Sequence, residues 1–419
     1  MVLPQINHFE TSSSGTCRLC GSTELTDLIS FGKMPLVNSL LSPTQLNSPE
    51  RMYPLEVVVC CRCTLAQITD VVPPSEIFTH YLYFSSFSDT MLAHAREAVH
   101  NLITRSSLNS DSLVIELASN DGYLLQYFLP HDIPVLGIEP AHNVAEIATA
   151  KGIPTICEFF GATMANRLRA EGKQADLVIA NNVIAHVPEL HDFVDGIRVV
   201  LKREGLVAVE TPYIKHLIED TKFDTIYHEH LFYYSLTALK VLFEHHQMHI
   251  VDVEEFDIHG GSLRLYVRHQ GVGRPSSAIE KMLADEASWV RNSTFYSDFS
   301  QRVERLRGAV SDLINGLKSQ GRRIAAYGAG AKGAVFLNAV GLGTESLDFV
   351  VDRNVHKQGL YMPGCRLPIH APEYLLETAP DYLLILTWNF ADEILKQQAE
   401  YARCGGKFIV CTPTIRILV

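Results

Sequence analysis

No stretch of this 419-residue chain stays apolar long enough to span a bilayer. Residues 1–15 also lack a charged start followed by an apolar core, so the sequence leads to the expectation of a soluble, cytoplasmic protein. A surplus of positive charge is missing too. With 35 Lys and Arg against 47 Asp and Glu, the net charge is −12, which argues against a general nucleic-acid or anionic-membrane surface because nothing offsets phosphate repulsion. One more absence is local: the turn Glu116-Leu-Ala-Ser-Asn-Asp-Gly122 has no Lys and no second glycine at phosphate-cradling spacing, so it is unsuited to a pyrophosphate.

What that turn does have is informative. The apolar run Leu113 to Ile115 ends in a carboxylate and a small, polar turn, followed by the helix-like segment Tyr123 to Phe128. A strand delivers a ligand to the carboxyl edge of a parallel sheet in this way. A second strand, Val135 to Ile138, ends in Glu139-Pro140, a carboxylate placed to accept hydrogen bonds from a ribose diol. A cationic nucleoside such as S-adenosylmethionine (SAM) suits this pair better than NAD or ATP; the plainer alternative is an α/β turn without ligand. Asp176 to Ala180 and Gly205 to Val209 read as further buried strands, giving a doubly wound sheet. Ser235 to Phe243 has helical periodicity, and strands Ile250 to Glu255 and Ser262 to Arg268 flank Gly260-Gly261, an antiparallel ending that resembles class I SAM-dependent methyltransferases.

With 47% hydrophobic and 20% charged residues, the chain can bury several cores, and two or three domains are expected. Two C-x-x-C pairs, Cys17/Cys20 and Cys60/Cys63, have the spacing by which two tight turns present four thiolates to zinc. A filled thiolate shell makes such a zinc structural. Cys61 competes with Cys60 only by leaving a less suitable C-x-C pair; buried or redox-active thiols are the alternative. Cys157, Cys365, Cys404 and Cys411 are scattered singly and read as small core residues. The aromatic, hydroxyl-rich stretch from His80 to Ser88 is either a lid over the cofactor site or interdomain packing. A helix-like run, Met91 to Thr104, follows it.

A second constellation, Tyr227-His-Glu-His230, follows Glu210-Thr-Pro-Tyr213 at the end of a core strand, where the sheet's edge exposes proton-handling groups to substrate. A metal site at His228 and His230 is the rival, although the segment reads as a loop without zincin spacing. His186 follows another core strand and points to the same edge. In the carboxyl-terminal part, a strand over Arg322 to Tyr327 runs into Gly328-Ala-Gly-Ala-Lys-Gly333 and a helix, Ala334 to Val340, able to surround a pyrophosphate with backbone N–H groups and the Lys332 ammonium. Strands Leu347 to Val351 and Tyr382 to Leu386 complete a second Rossmann-like unit, for which an NAD site or no ligand is the rival. Long helices from Ser276 to Lys318 connect the two halves.

Taken in order, Cys17-x-x-Cys20, Cys60-x-x-Cys63, Tyr81-Leu-Tyr83-Phe-Ser85-Ser86, Glu116 to Gly122, Asn181 to His186 and Tyr227 to His230 resemble the zinc-containing C-methyltransferases that act on nucleotide-linked keto-deoxysugars. The resemblance spans nearly the whole chain and implies three domains: zinc-binding (residues 1–75), SAM-binding (76–275), and a helical connector with a sugar-nucleotide-binding α/β unit (276–419). It implies acid/base roles for Tyr227, Glu229 and His230, with His186 nearby. The cofactor set would be Tyr81, Ser85, Glu116, Ala118, Asn120, Gly122, Glu139, Pro140, Asn181 and Asn182. Tyr327, Gly328, Gly330, Lys332, Asn354, Trp388 and Asn389 would hold the substrate, a small molecule. Carbon methylation then calls for a ketone beside the methylated carbon and a base to form an enolate, with His230 the expected base and Glu229 its orienting partner or its replacement. An O- or N-methyltransferase on a related sugar, or a non-catalytic scaffold that binds SAM and zinc, are the competing functions.

Overall fold

The computed structural model describes residues 15–77 and 84–418, and the secondary structure is dominated by three sheets. The first is antiparallel. Its strands are Leu25–Pro35, Met52–Cys60 and Ala66–Ile68, the last wholly buried, with Leu25 opposite Cys60 at the thiol-bearing end. Its fourth strand is Phe232–Tyr233, which lies far along the chain and follows Tyr227-His-Glu-His230 after one residue, Leu231. The amino-terminal sheet is therefore closed by the segment that carries the expected acid/base residues.

The second sheet has seven strands in the order Met248–Phe256, Ser262–His269, Leu201–Pro212, Ala175–Asn181, Val114–Leu117, Val135–Ile138, Thr155–Ile156. All run parallel except Ser262–His269, which is antiparallel to both neighbours. Strands Val114–Leu117 and Ala175–Asn181 are almost wholly buried because helices cover both faces, which is why they read as unbroken apolar runs. Tyr123 to Phe128 is not an α-helix: two 3-10 turns, Leu125–Tyr127 and Leu129–His131, replace it. Pro130 disfavours helical geometry at Leu129 and cannot donate a backbone hydrogen bond, so the helix has no room to propagate.

The third sheet runs Ile369–His370, Val350–Val351, Ile324–Tyr327, Tyr382–Ile385, Lys407–Val410 in parallel, with Arg416–Leu418 added antiparallel. This is the Rossmann-like order in which the chain reverses direction beside the first strand, leaving a crevice at the carboxyl edge. Helices Ser277–Glu286 and Ser293–Ser319 connect it to the central sheet. The amino-terminal unit also reaches it: Leu41 and Tyr361 exchange two backbone hydrogen bonds of 2.9 Å, and the Glu50 carboxylate accepts from the Gly364 N–H and from Arg366. Among the described residues, no helix is long and apolar enough to cross a membrane. Of the four scattered cysteines, only Cys411 is a core residue; Cys157 and Cys404 are exposed and Cys365 is partly so. Cys157 follows a two-residue edge strand and Cys404 caps a short surface helix, positions that hydrophobicity alone does not reveal.

Candidate active site and zinc centre

Two tight turns bring the four expected thiols together. The Gly21 N–H closes the first onto the Cys17 carbonyl at 2.8 Å, and the Thr64 N–H closes the second onto the Cys60 carbonyl at 2.9 Å. Cys17 Sγ stands 3.4 Å from Cys63 Sγ and Cys20 Sγ 3.6 Å from Cys60 Sγ, and all four sulfurs lie within 4.8 Å of one another. Zn–S bonds of about 2.3 Å put tetrahedral sulfurs about 3.8 Å apart, so the donor set fits zinc and leaves no open position for chemistry. Cys61 faces the other way, exposed and against the Thr26 hydroxyl at 3.3 Å.

At the carboxyl edge of the central sheet, the turn after Val114–Leu117 places Ala118, Asn120 and Gly122 alternately in the left-handed region, with φ of 54°, 50° and 75°. Gly122 admits no side chain, since an added Cβ would stand 2.2 Å from Ile153 Cδ1. Two backbone N–H groups, of Asn120 and Ala141, fix Glu139 at 2.9 Å each, and the Asn120 side chain accepts the Ser85 N–H at 2.9 Å. Burial raises the Glu139 carboxyl above its ordinary range, while those two N–H groups oppose the rise. Ser85, Ala118, Asn120, Glu139, Pro140, Asn181 and Asn182 line one cavity of about 400 Å3. The side-chain oxygens of Asn181 and Asn182 are buried there with no hydrogen-bond partner among the described residues. A cradle with a buried diol acceptor and unmatched amide oxygens fits a nucleoside with a cationic substituent. Glu116 and Gly122 stand behind the wall, unlike the expectation that they touch the ligand. Glu116 is fully buried, and burial together with Glu139 and Asp121 holds its carboxyl well above the usual carboxylate range. Tyr81 lies outside the described residues.

Tyr227, Glu229, His230 and His186 line the same cavity. The His230 ring is locked at both nitrogens: Nδ1–H donates to the Thr225 carbonyl at 2.8 Å, which leaves Nε2 to meet the Tyr227 hydroxyl at 2.8 Å. The neutral ring therefore carries its basic lone pair at Nε2, where Tyr227 donates. Glu229 does not orient this ring as expected. Its carboxylate is held instead by the Asn38 side-chain amide at 2.6 Å, because the loop's turn sends it toward the amino-terminal unit. The His186 ring packs edge-on against His230 with centroids 4.8 Å apart, and burial pushes its pKa down to about 4, so it is a neutral imidazole at physiological pH. His228 points away from the cavity, its Nε2 between the carbonyls of Tyr53 and Pro54 at 3.3 and 3.1 Å, so the two histidines cannot share a metal.

The opposite wall comes from the third sheet. Tyr327, Gly328, Gly330, Lys332, Asn354 and Asn389 stand at or just after its strand ends and line the cavity, so the carboxyl edges of the parallel strands of two sheets face each other across it. Gly328 has φ of 103°, and an added Cβ would sit 2.7 Å from the Thr387 side chain. Asp352 shapes the turn by accepting the Ala329 N–H at 2.7 Å. Both polar atoms of the Asn389 amide are buried and have no partner among the described residues. Trp388 is not part of the wall. Its indole N–H donates to Asp224 at 2.7 Å, and its ring receives the Lys222 and Lys332 ammonium groups at 5.5 and 6.0 Å from the centroid.

With that geometry in place, similarity to known proteins decides the family. Residues 17–78 match a family described as a putative zinc binding domain, 91–253 a methyltransferase domain, and 257–413 the C-methyltransferase C-terminal domain. Over 406 residues the chain is 37% identical to the C-methyltransferase NovU of Streptomyces niveus, covering 96% of each. The chain belongs to the zinc-containing, SAM-dependent C-methyltransferases. Its Gly328 to Gly333 turn lies in the C-methyltransferase carboxyl-terminal domain. Solved structures resemble less than half of the C-methyltransferase: magnesium protoporphyrin IX methyltransferase (ChlM) from Synechocystis PCC 6803 with bound SAM matches at 13% identity and TM-score 0.32, over 43% of this chain and 82% of that one. A SAM-dependent methyltransferase from Clostridium acetobutylicum ATCC 824 matches at 10% identity and TM-score 0.34, over 42% and 91%.

Two residues of the C-methyltransferase's site, Asn38 and Thr225, carry no sequence signal, and a third, Asp224, lies behind it. Asn38 sits in the loop between the two cysteine pairs, far from the acidic residue it holds. Thr225 acts through its backbone carbonyl, which any residue supplies. Asp224 is completely buried; burial pushes its carboxyl up to about 6 against the pull of Lys332 and the Trp388 indole. In the sequence, Asp224 is marked only by its place beside Tyr227 to His230.

Proposed function

We propose that this C-methyltransferase methylates a carbon next to the ketone of a nucleotide-linked 4-keto-deoxysugar, through an enolate formed by base catalysis. The observation that carries the reading is the hydrogen-bonded Tyr227–His230 pair, which lines a cavity shared by the nucleoside cradle around Glu139 and the glycine turn at Gly328 to Lys332. A sugar nucleotide extends from a pyrophosphate, held by backbone N–H groups at the amino terminus of helix Ala331–Val340 and by Lys332, toward that pair.

Bound SAM supplies an electrophilic sulfonium methyl. The chain's own groups make the carbon nucleophilic. In this reading His230 Nε2 is the ultimate base: the Tyr227 hydroxyl accepts the α-proton as it passes its own to Nε2, and the Thr225 carbonyl stabilises the imidazolium that results. His186, kept neutral by burial with its ring N–H toward the Glu229 backbone carbonyl, packs edge-on against the His230 ring and holds it in place. Glu229, held by Asn38, adds its carboxyl group to the wall of the same cavity.

Incubation of the enzyme with a nucleotide-linked 4-keto-deoxysugar in heavy water, without SAM, should exchange the α-proton, and addition of SAM should raise the product mass by one methyl. Methyl transfer to oxygen without exchange would establish an O-methyltransferase and overturn the proposal.

A further inference from the structure

A second group of metal-ligating side chains stands outside the cavity, at the seam between the thiolate module and the central sheet. His191 lies in the first turn of helix Leu190–Val200, and His245 and His246 end helix Leu236–His245. The three rings form a near-equilateral triangle with centroids 4.8, 5.0 and 5.0 Å apart, and one nitrogen from each lies within 4.8 Å of the others.

The outer partners of two of the rings fix where their hydrogens sit. His191 Nε2 faces the Leu19 carbonyl at 3.1 Å, so it must carry a hydrogen, which leaves Nδ1 as a lone pair. His246 Nδ1 faces the Asp195 carboxylate at 3.0 Å and must also carry a hydrogen, which leaves Nε2 as a lone pair. Those two lone pairs confront each other at 2.8 Å. Two neutral imidazoles cannot hold that contact without a cation between them. A shared proton or a metal ion would meet that need. The outer partners are those that metal-bound histidines take: a carboxylate behind one ring and a backbone carbonyl behind another. The carboxyl end of a ten-residue helix adds negative potential at His245 and His246.

We infer that His191, His245 and His246 form a second metal site for a divalent cation of borderline softness, such as zinc, nickel or cobalt. Metal–nitrogen bonds of about 2.0–2.1 Å set ligand nitrogens about 3.3 Å apart, so the His191–His246 pair opens by about half an ångström on binding, and His245, which is exposed, swings its ring to complete the face. Because Leu19 lies between zinc ligands Cys17 and Cys20, the site ties the thiolate module to the helix that follows His186 and Pro188.

The test is metal stoichiometry on untagged holoenzyme whose thiolate zinc is retained. Titration with zinc or nickel, read by calorimetry and by elemental analysis after gel filtration, should show a second equivalent per chain. His245→Ala should weaken it about tenfold or more without disturbing the thiolate zinc, His191→Ala should abolish it, and Asp195→Asn should weaken it about 10–100-fold. His245 is exposed and takes no part in the buried hydrogen bonds, so its variant tests the site even if His191→Ala fails to fold. Absence of a second equivalent, or its retention at full affinity in His245→Ala, overturns the inference. Nitrogen chemical shifts that show a His191–His246 imidazolium persisting at pH 8 in the presence of the metal would do the same.

Discussion

Asn38, which lies between the two cysteine pairs, donates its side-chain amide to the Glu229 carboxylate at 2.6 Å. The zinc module thus places a side chain inside the candidate active site and also closes its own sheet with Phe232–Tyr233 from the acid/base loop. Asn38→Ala should therefore lower kcat by roughly 10–100-fold, the cost of freeing a buried carboxylate, while zinc content and SAM affinity stay unchanged. Unaltered turnover in steady-state assays would show that Glu229 needs no positioning.

Removal of the thiolate zinc should reach the same loop by a longer route. Cys20→Ser is expected to lose that zinc, lower Tm and depress kcat together, since metal binding holds the turns that register strand Met52–Cys60. Cys61→Ser should leave all three unchanged, because that thiol is exposed and faces Thr26. Elemental analysis beside thermal melts decides it; a Cys20→Ser protein with full thiolate zinc would refute the ligand set.

Glu139→Ala should weaken SAM binding by about 1–3 kcal/mol, through loss of the ribose-diol acceptor and of the two N–H contacts that shape the turn. Calorimetry giving wild-type affinity would place the diol elsewhere.

The order of three variants reads out the proton path. His230→Asn should lower kcat about a hundredfold or more with SAM affinity intact. Tyr227→Phe should fall as far if the hydroxyl relays the proton, and much less if Nε2 acts directly. Glu229→Gln should cost least. His186→Gln should lower kcat yet leave the acid limb of the kcat/KM profile in place, because His186, with its pKa pushed down to about 4, is neutral throughout that range. Loss of that limb in His186→Gln would reassign the titrating group.

Asp224 makes stability depend on pH in a defined direction. Its folded pKa is raised from 3.8 to about 6, so its favourable contribution is present in acid and disappears as pH rises through that window. The Tm of Asp224→Asn, relative to the parent, should climb between about pH 4 and 6 and be flat above; a constant difference would show that the carboxyl is already ionised when folded.

The sequence alone determined the features set by local covalent spacing. Paired C-x-x-C turns bring thiols together over a few residues, apolar runs ending in Glu139 or Asn181 mark strands whose ends face a crevice, and Tyr227 to His230 is compact enough to read directly. Tertiary structure decided everything that depends on which distant segment packs against which. Nothing in the chain's local pattern pairs Asn38 with Glu229, threads Phe232–Tyr233 into the amino-terminal sheet, turns the Trp388 indole onto Asp224, or gathers His191 with His245 and His246. Those contacts arise because three sheets must bury their faces against one another, and the side chains that meet at the seams are chosen by that docking and not by periodicity.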